Sequence, residues 1–433
     1  MEPTADGGYI LGGTSFSNKS FEKSENSKGL DDYWIVKVDS LGNKQWDKTL
    51  GGSNIDILQG LQQTADGGYI LCGSSYSNIS SDKSQNNLGF LDYWVVKIDA
   101  QGNKRWDKTY GGSNIDEAYA VLQTADGGYL IGGASGSNVS STKSENSRGS
   151  EDYWIIKTDP LGNKQWDKAY GGAYIDDLRC LRQTNDGGYI LGGYSDSQIS
   201  GEKTENSYGL YDYWMVKIGS HGKVLWDKTI GGNSNDFFSS LIQTQDRGYI
   251  LAGISSSGIS GYKTEASRGD SDYWVVKTDN HGNVSWNKTI GGNRKDLAQS
   301  IIEKGKGNFV VGGYTYSGIS GDKTQAKKGS RDSSDYWLVD VKYDSTAAKA
   351  VVTNNLTATA NNKDFKVYPI PAKDILHVES DNAFFTLTNE SGKTVLSETV
   401  VGSATINLAH LPPGVYYLNN TNTNVTKKII ISR

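Results

Sequence analysis

The sequence predicts an all-β chain: a β-propeller of about six four-stranded blades, followed by a small C-terminal β-sandwich. Three observations predict it. One phrase recurs every 60 residues without gaps, as "DGGY" at Asp6, Asp66, Asp126 and Asp186 and "DRGY" at Asp246. Each copy holds four short stretches rich in β-branched and aromatic residues, bounded by Gly, Asn and Asp. The third stretch, "YWVVKI" from Tyr93, is apolar on both alternating faces, as a strand inside a stack of sheets must be. Four-strand repeats with both sheet faces covered describe blades set around an axis. A β-solenoid competes, but its coils are much shorter than this unit.

The elements follow in order within the second unit. "DILQGLQQT" from Asp56 leads through the turn "DGG" into "YILCG" from Tyr69. A polar loop then precedes "DYWVVKID" from Asp92, the hairpin "AQGN" and "KRWDKTYGG" from Lys104. Units start near residues 3, 56, 116, 176, 236 and 296, so residues 1–344 form the propeller, with its last strand reaching as far as 354. The sixth copy, "VKYDSTAAKAVVTN" from Val341, is worn, and Val351 stands where Trp46 stood. In the first copy, Met1 to Thr4 align with Leu61 to Thr64, so the opening strand is expected to be absent. A ring then closes only if a terminal strand fills the gap or more chain precedes Met1, and the expectation is truncation.

Composition narrows the function. The 433 residues include 53 Gly and 6 Pro, which suits a protein of frequent tight turns. The 44 basic and 49 acidic residues are spread through every repeat, leaving neither a basic patch for nucleic acid nor a polybasic membrane segment. No apolar run approaches the roughly 20 residues of a membrane helix. Cys72 and Cys180 occupy non-equivalent places, which excludes a disulfide framework or a cysteine metal cluster. Cys72 replaces the Gly or Ala of other copies and reads as a small buried substitute. His221 and His281 are matching turn residues, and His377 and His410 lie in the tail.

Two tryptophan series keep the 60-residue step: Trp34, Trp94, Trp154, Trp214 and Trp274, and Trp46, Trp106, Trp166, Trp226 and Trp286, with Trp337 in the sixth copy. "DSLGNKQW" and its copies resemble the tryptophan motif of quinoprotein propellers, in which a hairpin docks an indole between blades. That resemblance implies a blade-docking role for these tryptophans and carries no quinone chemistry. Recurring aspartates at Asp32 and Asp56 would suggest calcium; the competing reading is that they bond turn and strand-end amides, because a hard cation needs six or more converging oxygens. No cofactor is expected otherwise. Lys37 and Asp39 recur too, and are expected to pair between stacked blades.

An enzyme needs an asymmetric constellation, yet nearly every polar candidate here occurs five times, and no catalytic residue is singled out. No G-x-S-x-G, P-loop or HExxH appears. Polar loops such as "SNISSDKSQNNLG" from Ser77 should share one rim, either as solvated spacers or as repeated weak sites for a glycan or polymer.

Composition shifts over residues 345–364, an Ala/Thr/Asn linker. Beyond it, residues 365–433 alternate like short strands. "YPIPAKDIL" from Tyr368, "NESGKTV" from Asn389, "LPPGVYYL" from Leu411 and "KKIIIS" from Lys427 resemble the type A C-terminal sorting domain of the type IX secretion system of Bacteroidetes-type bacteria. The residues carrying the likeness are Tyr368, Pro369, Pro371, Gly392, Gly414, Tyr416, Lys427 and Lys428. Ile370 departs from the family's Asn in Tyr-Pro-Asn-Pro. The resemblance implies the type IX machinery as partner, export across the outer membrane, removal of the tail, and cargo that is anchored or released. "MEPTADGG" has neither a basic start nor an apolar core, so it is not expected to be a signal peptide, and the expectation is again truncation. The first functional expectation is therefore a secreted or surface-attached DGGY/YW-repeat propeller that binds or adheres without catalysis. The second is an extracellular enzyme acting on polysaccharide, which three or more carboxylates converging at the axis from non-equivalent positions would favour.

Overall fold

The computed structural model describes residues 1–330, 333–344, 349–353, 365–368, 372–389, 391–421 and 425–432. They divide into two compact units, Met1–Thr353 and Asn354–Arg433. The first is a β-propeller of six four-stranded antiparallel blades, each built in chain order as strands a, b, c and d. In the second blade these are Asp56–Gln63, Tyr69–Ser75, Asp92–Ile98 and Lys104–Tyr110. The a strands of the third, fourth and fifth blades are Asp116–Gln123, Asp176–Gln183 and Asp236–Gln243. Successive a strands lie beside one another, which puts them innermost and the d strands outermost.

Local chemistry sets each connection. In the a–b turn the Thr64 hydroxyl donates to Asp66 Oδ1 at 2.5 Å, and Gly67 takes φ +79°. That left-handed conformation is the reason for glycine there. The next glycine has a different reason: a Cβ on Gly68 would press within 2.5 Å of Lys97 Nζ and collide with the Ile98 carbonyl. In the c–d hairpin Asp99 Oδ1 accepts from the amides of Gln101 and Asn103, closing a turn that pivots on Gly102.

Strands b and c of the second to fifth blades are almost wholly buried, which explains their two-sided apolar pattern. Blades stack through Trp and Tyr. Tyr33 lies 4.7 Å from Trp94 of the next blade, and its hydroxyl donates to the Trp94 carbonyl at 3.0 Å. The same bond recurs from Tyr93 to Trp154, Tyr153 to Trp214, Tyr213 to Trp274 and Tyr273 to Trp337. Each buried aromatic also contributes roughly 1.5–3 kcal/mol by leaving water.

The opening strand of the first blade is present as a stub, which corrects the expectation that it is absent: Glu2–Pro3 pairs with Ile10 and Tyr9. Pro3 tolerates this edge place because a strand edge demands no further amide. Tyr336, the sixth-copy counterpart of Tyr33, is 96% exposed. The worn outer strand of the sixth blade survives as Lys349–Thr353, paired with Asp340 to Asp344.

The second unit is a small antiparallel all-β domain. A long hairpin, Ile375–Asn389 and Thr394–Asn407, is broken by a bulge between Asp381 and Ala383. One half of its first strand pairs with Lys366–Tyr368 and the other with Gly414–Asn420, which in turn pairs with Val425–Ile431. Its core gathers Phe365, Leu376, Phe385, Leu387, Leu418 and Ile429.

Candidate functional site

Most recurring polar residues build the frame. Asp47 Oδ2 accepts from Trp34 Nε1 at 3.1 Å, and Asp107, Asp167 and Asp227 hold Trp94, Trp154 and Trp214 in the same way. The second tryptophan series sits at blade junctions. Trp46 meets Tyr69 edge-on at 6.0 Å, and a Cβ on Gly102 of the next hairpin would lie 3.0 Å from its ring. Trp106 and Trp226 meet Tyr129 and Tyr249 alike, Trp286 meets Phe309, and Trp166 lies under Gly222.

Lys37 does not pair with Asp39. Its ammonium reaches Asp6 of the same blade at 2.8 Å, because strand pairing sets Lys37 opposite Ile10, beside the a–b turn. Lys97, Lys157, Lys217 and Lys277 hold Asp66, Asp126, Asp186 and Asp246 equivalently. Asp39 instead caps its own hairpin through the Leu41 and Asn43 amides.

Asp32 and Asp56 are fully buried. Asp32 Oδ2 accepts from the Lys28 amide at 2.6 Å, and Asp56 Oδ2 from the Gly52 amide at 2.6 Å and the Ser77 hydroxyl at 3.0 Å. Among the described residues no group of three or more His, Cys, Asp or Glu side chains is placed to hold a metal ion. The b–c loops are structured by a buried lysine that composition did not reveal. Lys83 lies over the Trp94 ring at 5.7 Å and donates to the Thr109 hydroxyl at 2.6 Å. Their tips Ile79, Val139, Ile199, Ile259 and Ile319 are exposed.

The repeat departs from its pattern around the a strands of the third to fifth blades. Every complete a strand carries a β-bulge, and the extra residue is Gln59, Tyr119, Arg179, Ser239 or Gln299. A bulge leaves that residue out of the ladder and re-aims its side chain. Arg179 Nη2 donates to Asp177 Oδ2 at 2.5 Å and to the Tyr194 hydroxyl at 2.7 Å, and Tyr194 donates to the same Asp177 oxygen at 2.7 Å. The guanidinium lies 4.0 Å over the Tyr119 ring, whose hydroxyl bonds Glu117 at 2.9 Å. Tyr194, Tyr211 and Phe237 form an aromatic wall with centroids 5.1 to 5.5 Å apart. Burial pushes the Glu151 carboxyl up, and the charges of Asp177 and Glu117 add to that. Burial likewise raises Asp177, against the pull of Arg179.

Three carboxylates thus gather near one guanidinium. Glu117 and Asp177 hold equivalent positions in successive blades, whereas Glu151 comes from another position, just before strand c. With Asp177 Oδ2 committed to Arg179 and Tyr194, the arrangement is suited to hydrogen bonding and stacking more than to proton transfer. The signal that could have found it was the mismatch between copies: Gln, Tyr, Arg, Ser, Gln at one position and Thr, Ser, Ala, Tyr, Ile, Tyr at another. On the opposite face, a groove of about 700 Å³ between the fourth and fifth blades is lined by Trp226, Arg247 and His281.

In the tail, the Tyr368 hydroxyl donates to Glu379 at 2.6 Å, and Gly392 turns the hairpin at φ +78°. Gly414 opens a strand, and Tyr416 is buried with its hydroxyl on the Pro412 carbonyl at 2.9 Å. Lys427 lies over the Phe365 ring at 5.3 Å, and Lys428 is exposed. Pro369 and Pro371 lie outside the described residues.

The chain is 20% identical over 319 residues to the regulatory protein FlaEY of Caulobacter vibrioides, covering 67% of this chain. It spans about a third of the length of that relative. Among solved structures, a Synechocystis apocarotenoid oxygenase mutant (Glu to Asp) aligns over 94% of each chain at 9% identity with a TM-score of 0.37. The PQQ-bound aldose sugar dehydrogenase of Streptomyces coelicolor aligns over 77% of this chain and 98% of its own at 10% identity, with a TM-score of 0.32. Residues 366–432 match the family described as the secretion system C-terminal sorting domain. The protein therefore carries a sorting domain that engages a secretion system and directs it to the cell surface or the extracellular space.

Proposed function

We propose that this protein is a non-catalytic recognition propeller, exported by the type IX machinery and displayed on the cell surface or released from it. One observation carries the reading. The frame repeats its chemistry blade after blade, and the axial cluster of Asp177, Arg179, Tyr194 and their neighbours is where charge and aromatic surface depart from it together. The sorting tail directs the chain outward, and the partners this reading proposes are extracellular glycans, polymers and matrix proteins. Aromatic rings and an Arg–carboxylate fork are the side chains that dominate recognition surfaces.

The test uses the full chain on a panel of printed glycans and immobilised matrix proteins. Wild-type protein should be retained by at least one member, and Tyr194→Ala with Phe237→Ala should lose that retention while melting within a few degrees of wild type. Retention that ignores both changes contradicts the reading. A second reading, polysaccharide hydrolysis, draws on the raised Glu151 carboxyl beside Glu117 and Asp177. It predicts new reducing ends from a polysaccharide in the panel, abolished by Glu151→Gln.

A further inference from the structure

We propose that Asp177 and Arg179 form the hydrogen-bonding handle of a carbohydrate subsite that takes a neutral sugar ring. The proposal rests on the reading of the axial cluster as a recognition site. Its first support is a pair of unpaired hydrogen-bonding atoms. Asp177 Oδ1 and Arg179 Nε are both buried and have no partner within the protein, although the two residues are joined by their other atoms. Asp177 is only 5% exposed. The junction aspartates, Asp56 and Asp176 among them, leave one buried oxygen unpaired blade after blade as part of the frame; Asp177 Oδ1 and Arg179 Nε stand outside that series and belong to one fork.

The chemistry of the missing partner follows from the two roles. It must accept from the Arg179 Nε–H and donate to the Asp177 carboxylate. A hydroxyl does both; an ammonium group has no acceptor, and a carboxylate or phosphate dianion has no donor. The second support is the adjoining wall of Tyr194, Tyr211 and Phe237, in which the Tyr194 and Phe237 rings stand at 84° to each other. A sugar ring presents hydroxyls at its rim and C–H groups on its faces, so it can rest on such a wall while its rim reaches the fork. The third support is charge. Glu117, Glu151 and Asp177 outnumber the single guanidinium of Arg179, so a uronate or sulfated ring meets like charge. Tyr119 beneath the guanidinium holds the fork rigid, which lowers the ordering cost of binding.

The experiment adds sugar competition and conservative variants to the panel above. The full chain should bind printed neutral glycans; free neutral hexose at millimolar concentration should compete, and glucuronic acid should not. Arg179→Lys keeps the charge but removes the Nε–H, and should weaken neutral-glycan binding at least tenfold with melting unchanged. Tyr194→Phe keeps the ring and removes one bond to Asp177, and should weaken it less. Capture of matrix proteins alone, or of acidic glycans alone, overturns the proposal and leaves the recognition reading standing. So does neutral-glycan binding that is indifferent to Arg179→Lys. A crystal soaked with a neutral oligosaccharide in which only water bridges Asp177 Oδ1 and Arg179 Nε overturns it as well. Retention by nothing in the panel overturns both.

Discussion

Asp92, Asp176, Asp212 and Asp272 are carboxyls buried at blade junctions, where loss of water pushes three of them up to about 6 and Asp212 up to about 7. Each accepts one or more backbone amides, yet burial outweighs those bonds. A carboxyl held above its ordinary value takes up a proton more readily in the folded chain than in the unfolded one. Its favourable contribution is therefore complete below about pH 4 and is lost as the pH rises through 6 to 7. Asp126 runs the other way: hydrogen bonds from Lys157 and Thr124 hold it at about 2, so its contribution is lost as the pH falls from about 4 to 2. The propeller should thus melt at its highest temperature between about pH 4 and 6 and at a lower one by pH 7.5. Thermal melts at constant ionic strength across that range measure this. Lys83, Lys203 and Lys263, which burial lowers to about 8, titrate above the window. A flat profile between pH 5 and 7.5 contradicts the burial of these carboxyls.

At the scale of elements, the turns and strands were legible because each has a local chemical cause. The DGG turn, the Asp-capped hairpin and the doubly apolar c strand all announce themselves in composition. Pairings across the sheet were less so. Lys37 and Asp39 are neighbours in sequence, but the strand ends at Val38 and Asp39 turns into the hairpin, while Lys37 crosses to Asp6. Only the register shows this. Two substitutions test the junctions. Tyr153→Phe removes the hydroxyl bonded at 2.9 Å to the Trp214 carbonyl and should cost about 1 kcal/mol in denaturant melts. Tyr336→Phe, at the exposed counterpart, should cost nothing measurable. Gly162→Val forces a β-branched residue into φ +77° and against the Trp106 ring. It should destabilise by roughly 1–3 kcal/mol, since left-handed backbone and overpacking both oppose it.

For the whole molecule, the repeat made the architecture readable and hid the site. Uniformity identifies a frame: Trp94 and its equivalents and the buried aspartates recur because blades stack in the same way, and the Lys–Asp pairs of the first five blades brace each a–b turn. Recognition requires asymmetry, and asymmetry resides in the few positions where copies disagree. Arg179 stands among Gln, Tyr and Ser at its position in the other copies, and the bulge brings it to Asp177 and Tyr194. The tail was legible for a different reason: its motifs match a known sorting domain, and several of their residues, such as Gly392 and Tyr416, also build its turns and core. The most direct measurement replaces the fourth repeat's exceptions with the second repeat's residues, as Asp177→Ile, Arg179→Gln and Tyr194→Ser in one chain, and compares retention on the glycan and matrix panel with that of wild type. The account predicts a propeller that still melts cooperatively and is no longer retained. Retention equal to wild type would contradict it.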